Sequence, residues 1–282
     1  MFIAPLGFFR GISCAFITAP ARCAAFSKAQ YLTRKRTHVC KQLCLLSSEC
    51  LSEKGLEERP CSLKQEVYGI PGLKRPRIRQ HVNPLSQHLK ALAEIPAEWP
   101  NQIYSSHSSP LHVDIGSASG AFLLRMAEAQ PNFNYVGLEI RRSLVEFANA
   151  RAKSAGVANK AFFLCCNANT AIRRILESYT PGIVRRISLN FPDPYFKRRQ
   201  QKRRVVQSEL VRILGEYLAT GSEFICQTDV LEVDSHVREI FDSIGGFVCE
   251  ELSVSPFPVP SERELSCTRN GRQIYRSLFI RK

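Results

Sequence analysis

The stretch LHVDIGSASG, residues 111–120, decides the fold. Its first six residues form a largely apolar run that predicts a buried β-strand. Gly116 and Gly120 then frame a turn of small residues, and an amphipathic helical pattern over 120–129 follows. A strand, a glycine turn and a helix are typical of the first unit of a doubly wound α/β sheet, in which glycine lets the backbone approach a ligand. A tight strand-to-helix connection without a ligand would carry the same glycines, so the turn alone predicts fold and not function.

Alternating strand and helix patterns continue to the end of the chain. Strand-like runs cover 135–140, 161–166, 185–191, 223–228, 247–252 and 273–280, and helical patterns cover 142–155, a stretch ending near 178, 200–218 and 231–243. Because helices separate the first five strands, we predict an α/β fold with a doubly wound, mainly parallel sheet of seven strands. No helix is predicted between the last two strands, so one of them is expected to be antiparallel.

The composition limits the remaining possibilities. The 282 residues are 44% apolar and carry a formal net charge of +14. This apolar content excludes wholesale disorder, and no run approaches the roughly 18 apolar residues of a membrane span. We predict one domain over 78–282, preceded by a linker over 49–77 that proline and glycine interrupt. The basic run RIRQHVNPL, 77–85, is expected to dock on the domain or on its partner, and 89–93 to form a short helix.

The N-terminal segment has a composition of its own. Residues 1–48 contain seven basic residues and no acidic one. An acid-free segment rich in serine, alanine and arginine is typical of an organelle transit peptide, and the apolar run 11–18 fits a secretory signal in front of it, as in algae with secondary plastids. We predict an organelle-targeting segment over 1–48, with the plastid favoured and the mitochondrion as the alternative. A basic tail that stays attached is the other interpretation.

The cysteines and histidines do not indicate a metal site. Six of the eleven cysteines lie within the first 61 residues, and the chain contains no Cys-x-x-Cys pair. The six histidines show no zinc spacing either. We therefore predict neither a bound metal nor a disulfide framework, and a mature protein that works in a reducing compartment.

Polar residues at the predicted strand ends indicate a cofactor site. The glycines follow a Gly-x-x-x-Gly spacing instead of the Gly-x-Gly-x-x-Gly of dinucleotide sites. Glu139 ends the second strand, where a carboxylate can accept hydrogen bonds from both hydroxyls of a ribose. Asp114 is placed to hold a cationic amino group, and Asn167 and Ala168 to meet an adenine. This pattern suits S-adenosylmethionine, with the predicted contacts Asp114, Gly116, Gly120, Glu139, Asn167, Ala168 and Asn190.

A second constellation follows the fourth strand. Two prolines flank an aspartate in NFPDPY, 190–195, which predicts a rigid exposed turn. The run KRRQQKRR, 197–204, places six cations within eight residues directly after it. Such a run is often a solvated surface, but at the carboxyl end of a parallel strand it favours the backbone phosphates of a nucleic acid. The predicted RNA-binding cations are Lys197, Arg198, Lys202, Arg203 and Arg204.

These residues resemble the bacterial-type tRNA (guanine-N7)-methyltransferases. The similarity covers about 170 residues from Leu111 to the C-terminus, centres on 190–204, and includes QTD at 227–229 and SERE at 261–264. The resemblance implies S-adenosylmethionine as cofactor and tRNA as substrate, with a variable-loop guanine as the target. It implies that Asp193 is catalytic and that Lys197, Asp229 and the segment from Ser261 to Glu264 bind tRNA. This chain has Ala118, Asn167, Tyr195 and Ser261 where the family commonly has glycine, an acid, tryptophan and threonine.

The implied reaction needs no base. Guanine N7 carries a lone pair and no hydrogen, so catalysis rests on positioning and on negative charge near the purine, which Asp193 can supply. Two alternatives remain open at this point. An adenine amino-group methyltransferase would carry Asn/Asp-Pro-Pro-aromatic, which the chain lacks at 190–193, and a non-catalytic tRNA-binding subunit would need only the basic run. A nicotinamide dehydrogenase is disfavoured by the glycine spacing. A monomer is favoured.

Overall fold

The computed structural model describes residues 74–78, 82–90, 95, 98–180 and 182–282. The predicted targeting segment 1–48 and all but the last few residues of the predicted linker 49–77 lie outside this part of the chain. The strands are β1 Leu111–Ile115, β2 Asn134–Glu139, β3 Ala161–Cys165, β4 Val184–Asn190, β5 Glu223–Thr228, β6 Phe247–Glu251 and β7 Tyr275–Arg281. The α-helices are α1 Gln87–Lys90, α2 Trp99–Ile103, α3 Ala121–Ala129, α4 Arg142–Ser154, α5 Ala168–Ser178, α6 Ser208–Tyr217, α7 Leu231–Ile244 and α8 Glu262–Arg269, and a 3₁₀ helix covers Arg198–Arg203.

The strands form one sheet in the order β3-β2-β1-β4-β5-β7-β6. The predicted doubly wound, mainly parallel sheet of seven strands is confirmed, because β1 to β5 pair in parallel and β7 pairs antiparallel with both β5 and β6. Strand order reverses between β1 and β4, which leaves a crevice at the carboxyl ends of these strands. Ligands of open α/β sheets bind in such a crevice.

The expectation that no helix separates the last two strands was wrong. Helix α8 lies between β6 and β7, and its first turn is closed by a capping box in which Ser261 and Glu264 each bind the other's backbone N–H. Tyr275, the first residue of β7, pairs with Thr228, the last residue of β5. Because α8 begins and ends at the carboxyl edge of the sheet, β7 runs back from that edge and is antiparallel. The Ser-x-x-Glu signature of this cap was present in the sequence.

The long helix predicted over 200–218 was also wrong. The basic run forms a short 3₁₀ helix, the backbone is extended at Arg204 and Gln207, and α6 starts only at Ser208. Two features of the sequence account for the break. Like charges repel along the run, and the adjacent β-branched Val205 and Val206 have a low helix propensity. Val206 is instead buried in the core.

Helices cover both faces of the sheet. One core cluster joins β1 and β4 to α5, α6 and α7, and the other joins α3 and α4 to β3. The central strands carry most of the burial, since every residue of β1 and β2 and all but the first residue of β5 are buried. No helix in the part of the chain that the structure describes is long and apolar enough to cross a membrane. The rigid centre of the sheet therefore fixes the strand ends that form the crevice.

Candidate active site

A cavity of ≈ 520 Å³ opens at the carboxyl ends of β1, β2 and β4 and at the turn after β3. Of the seven predicted cofactor residues, five contribute to its wall, namely Gly116, Glu139, Asn167, Ala168 and Asn190. Asp114 and Gly120 are not on the wall. Asp193, predicted to be catalytic, lies on the same wall as Glu139. The structure therefore brings residues from four separate turns to one cavity.

The two glycines of the turn after β1 have different surroundings. Both have positive φ, +80° for Gly116 and +77° for Gly120. A Cβ on Gly116 would meet nothing within 4 Å, whereas a Cβ on Gly120 would lie 2.6 Å from the Phe163 ring and 2.9 Å from Ala148. Gly116 thus leaves room for a ligand in the cavity to approach the main chain closely. Gly120 instead permits α3 to pack against β3 and α4, which places it behind the wall and not in contact with a ligand.

Glu139 is held by the backbone around it. Its side chain is only 4% exposed, its Oε2 accepts the Ala118 N–H at 3.2 Å, and its Oε1 accepts the Arg141 N–H at 2.9 Å. Ala118 has a φ of +49°, a conformation that non-glycine residues adopt at a cost. The hydrogen bond to Glu139 stabilises this turn where the family commonly has glycine. A carboxylate has about four lone-pair sites, so Glu139 can also accept donors from the cavity.

Asp114 lies one layer behind the wall. It accepts hydrogen bonds from the Ser188 hydroxyl at 2.6 Å and from the Asn190 amide at 3.2 Å. Burial raises the pKa of Asp114 to about 7, although both of these hydrogen bonds lower it. Near neutral pH the carboxyl group is therefore divided between its charged and neutral forms. A cation in the adjacent cavity would favour the charged form.

A chain of side-chain hydrogen bonds continues from Asn190 across the sheet. The Asn190 Oδ1 accepts from the Gln227 amide at 2.9 Å, the Gln227 Oε1 accepts from Arg276 Nε at 2.8 Å, and Arg276 Nη2 donates to Glu264 at 3.0 Å. Asn190, Gln227 and Arg276 are register partners on β4, β5 and β7. The chain thus joins the cavity wall to the capped start of α8. Gln227 and Arg276 could not be given this role from the sequence, because their alignment requires the strand order.

The turn with the two prolines is rigid and strained. Phe191 and Tyr195 both have positive φ, +50° and +43°, on either side of Asp193. The Phe191 N–H donates to the Gln227 carbonyl at 2.7 Å, which anchors the start of the turn to β5. Asp193 is half-buried on the cavity wall. Such strained residues persist only where the surrounding structure holds them, and they cluster at functional sites.

Residues 82–85 form a strap over one side of the cavity. The Tyr195 hydroxyl donates to the Val82 carbonyl at 2.8 Å, and the Asn167 amide donates to the Pro84 carbonyl at 2.9 Å. Val82 and Pro84 also line the cavity. Of the two expectations for this run, docking on the domain is the one observed. Asn167 therefore has two structural contacts, since its Oδ1 also caps α5 by accepting the Asn169 N–H at 3.1 Å.

The basic run presents its cations in different directions. Lys197, Arg198 and Lys202 are exposed, and Arg203 is half-buried on the cavity wall. Arg204 differs from the prediction of an RNA-binding cation, because it is 5% exposed and donates to the Pro194 carbonyl at 2.9 Å and to Glu232 on α7. Its guanidinium ties the run to the domain.

Two of the residues expected to bind tRNA have internal partners, and a third is paired at the surface. Ser261 and Glu264 are each 5% exposed and form the capping box of α8. Asp229, directly after β5, binds Arg263 at 2.7 Å and Arg272 at 3.3 Å. No group of three His, Cys, Asp or Glu side chains in the described residues is arranged to hold a metal ion.

Comparisons with known proteins show which family the chain belongs to. The family described as "Putative methyltransferase" matches residues 108–277. The tRNA (guanine-N(7)-)-methyltransferase of Synechococcus elongatus is 47% identical over 211 residues, which are 74% of this chain and 98% of that protein. Its counterpart from Nostoc sp. is 42% identical over 219 residues, 76% of this chain and 99% of that protein.

Among solved structures, the chain is similar to a SAM-dependent O-methyltransferase from Thermotoga maritima. The TM-score is 0.42 at 14% identity, over 66% of this chain and 62% of that one. The extensive identity to the two cyanobacterial proteins and the family match over more than half of the chain leave no ambiguity. The chain is an S-adenosylmethionine-dependent methyltransferase and belongs to the tRNA (guanine-N7)-methyltransferase family.

Proposed function

We infer that this protein transfers a methyl group from S-adenosylmethionine to N7 of a guanine in tRNA, the variable-loop guanine by family resemblance. One observation carries the inference. Glu139 and Asp193 lie on one cavity wall, and the exposed cations Lys197, Arg198 and Lys202 follow directly on the chain. A cofactor pocket thus opens beside a surface that suits a polyanion.

The cavity residues fit the proposed cofactor. Glu139 offers a carboxylate to ribose hydroxyls, and apolar side chains of the same cavity wall, such as Ile115, Leu138 and Leu189, suit the apolar parts of the cofactor. Gly116 leaves room for the cofactor to approach the main chain closely. Asn167 and Ala168 lie at the side of the cavity where we place the adenine. Asp114 favours a cationic amino group through Asn190, not by direct contact. When bound, the cofactor supplies a methyl group on a positively charged sulfur.

The position of Asp193 on the cavity wall supports the proposed catalytic role. Positive charge moves onto the purine as N7 gains the methyl group, so a carboxylate nearby stabilises the transition state. The same carboxylate can accept the guanine's N–H groups and orient the base. Two flanking prolines and the strained Phe191 and Tyr195 hold it in place. No residue has to remove a proton before the attack.

The activity is tested by mass spectrometry of tRNA nucleosides after incubation with the protein and labelled S-adenosylmethionine. We expect labelled 7-methylguanosine. Label on an adenine amino group would mean that the protein is the alternative enzyme. Binding of tRNA without any label, in a protein that also fails to bind the cofactor, would identify a non-catalytic subunit.

The basic run provides a prediction that separates two kinds of cation. Lys202→Ala should weaken tRNA binding and reduce its salt slope by about one unit, because one phosphate contact is lost, while the melting temperature stays unchanged. Arg204→Ala should instead lower the free energy of unfolding by about 1.5–3 kcal/mol, the scale of hydrogen bonds that involve a charged group.

The two variants are compared by tRNA binding across a salt series and by thermal unfolding. Each is the control for the other, since both remove one positive charge from the same run. A normal melting temperature for Arg204→Ala together with a reduced slope would show that Arg204 binds phosphate after all.

We propose further that residues 1–48 direct the protein to an organelle and that the domain acts as a monomer. The acid-free basic composition supports targeting, and the similarity to cyanobacterial enzymes favours the plastid over the mitochondrion. A fluorescent reporter fused to residues 1–60 should enter the plastid in the source cell. Diffuse cytosolic fluorescence would contradict targeting, and light scattering of the purified protein tests the monomer.

A further inference from the structure

Asp229 connects two arginines from a distant part of the chain. Its Oδ2 accepts a hydrogen bond from Arg263, in the first turn of α8, at 2.7 Å and from Arg272, beyond the end of that helix, at 3.3 Å. The Asp229 side chain is 12% exposed, whereas those of Arg263 and Arg272 are 49% and 56% exposed. Although burial opposes it, the two arginines lower the pKa of Asp229 below its ordinary value. Asp229 is therefore a charged, mostly buried carboxylate that is paired with two half-exposed arginines.

We infer that Asp229 is a positioning residue for tRNA and that Arg263 and Arg272 bind its backbone phosphates. This inference rests on the proposed function. It assigns the phosphate contacts to Arg263 and Arg272, and not to Asp229, Ser261 or Glu264. A carboxylate repels a phosphate, so Asp229 itself is poorly suited to contact the RNA backbone. Each guanidinium has five N–H donors in a rigid fork, and one hydrogen bond to Asp229 uses one of them. The cluster retains a net charge of +1.

The surroundings fix where the two arginines stand. Asp229 follows β5 directly, and Gln227 two residues earlier binds Asn190 on the cavity wall. The start of α8 is held by its capping box and by the Arg276–Glu264 ion pair at 3.0 Å. Arg263 therefore projects from a rigid helix start at the carboxyl edge of the sheet. The basic run 197–204 follows β4, and Asp229 with its two arginines follows β5. Because β4 and β5 are neighbouring strands, the basic run and the two arginines lie at the same edge of the sheet.

Two other interpretations of the cluster make different predictions. In the first, Asp229 contacts tRNA directly, through a base N–H or a ribose hydroxyl. In the second, the ion pairs only fasten α8 to β5 and have no part in binding. A double-mutant comparison distinguishes all three, because a residue that acts through another loses its effect once the other is removed.

The experiment measures tRNA affinity over a salt series for Asp229→Ala, Arg263→Gln, Arg272→Gln, the double arginine variant and the triple variant. Arg173→Gln is the matched control, because Arg173 on α5 is 43% exposed and pairs with Glu216 at 3.3 Å. Glu216 lies in the last turn of α6, which leads into the first residue of β5, so this pair lies toward the opposite edge of the sheet. We expect each of the Arg263 and Arg272 substitutions to reduce the salt slope by about one unit. Asp229→Ala should weaken binding about threefold to tenfold, although it removes a negative charge. In the double arginine background it should change affinity less than about twofold.

Three results would overturn the inference. A full effect of Asp229→Ala in the double arginine background would mean direct contact. If the salt slopes of both arginine variants equal that of Arg173→Gln, the ion pairs only fasten α8 to β5 and do not bind tRNA. Tighter tRNA binding by Asp229→Ala would show that the carboxylate only repels. Asp229→Asn, which keeps the side-chain shape, replaces Asp229→Ala if the latter unfolds. A parent protein that binds tRNA with the expected slopes but forms no 7-methylguanosine would refute the proposed function alone.

Discussion

Replacing Asp193 by alanine should lower the rate of methyl transfer by about a hundredfold or more, the usual cost of removing one preorganised group that stabilises transition-state charge. The affinity for tRNA should change far less, because many phosphate contacts contribute to it and this carboxylate is needed mainly in the transition state. The measurement is single-turnover methylation at saturating tRNA and cofactor, together with equilibrium tRNA binding. Saturation separates the chemical step from binding.

Two further variants make this test specific. Asp193→Asn keeps the shape and one acceptor but removes the negative charge, so its rate should fall between those of the parent and the alanine variant. Asp242→Ala removes an exposed carboxylate from α7 and should leave the rate unchanged. A parental rate for Asp193→Ala would remove Asp193 from the mechanism. A large loss of tRNA affinity with a parental rate at saturation would assign it to binding.

The parts of the site that depend on one strand and its following turn could be predicted from the sequence. Glu139 ends β2 and Asp193 follows β4, and both lie on the cavity wall because parallel strands end at one edge of the sheet. Hydrophobic runs and glycine turns are local signals, and they predicted all seven strands. The start of α8 was also a local signal. Its Ser-x-x-Glu pattern, assigned to tRNA by family resemblance, forms a helix cap in the structure.

Other features depend on partners that are distant in the sequence. Arg203 and Arg204 are identical neighbours, yet one faces the cavity and the other turns inward to Pro194 and Glu232. Gln227 and Arg276 align only because β7 lies between β5 and β6. Gly120 carries no mark that distinguishes it from Gly116, and only the Phe163 ring beside it shows its packing role. Local patterns contain none of this information.

Replacing Glu139 by alanine should weaken S-adenosylmethionine binding by about 1.5–3 kcal/mol, which corresponds to roughly ten- to 150-fold in the dissociation constant. The physical reason is the loss of charge-assisted hydrogen bonds between the ribose and a carboxylate that is almost fully buried. Part of the effect comes from the protein itself. Glu139 also holds the N–H groups of Ala118 and Arg141, so its removal relaxes the turn that carries Gly116.

Calorimetry of cofactor binding with Glu139→Gln separates these two contributions. The glutamine keeps one acceptor and introduces an N–H₂ group toward backbone donors, so we expect an affinity between those of the parent and Glu139→Ala. Glu146→Ala is the matched control, because it removes an exposed carboxylate from α4, the helix that follows the same strand. Unchanged cofactor affinity in a folded Glu139→Ala protein would contradict the assignment. A loss equally large in Glu146→Ala would mean that the net charge of this region, and not the position of Glu139, attracts the cationic cofactor.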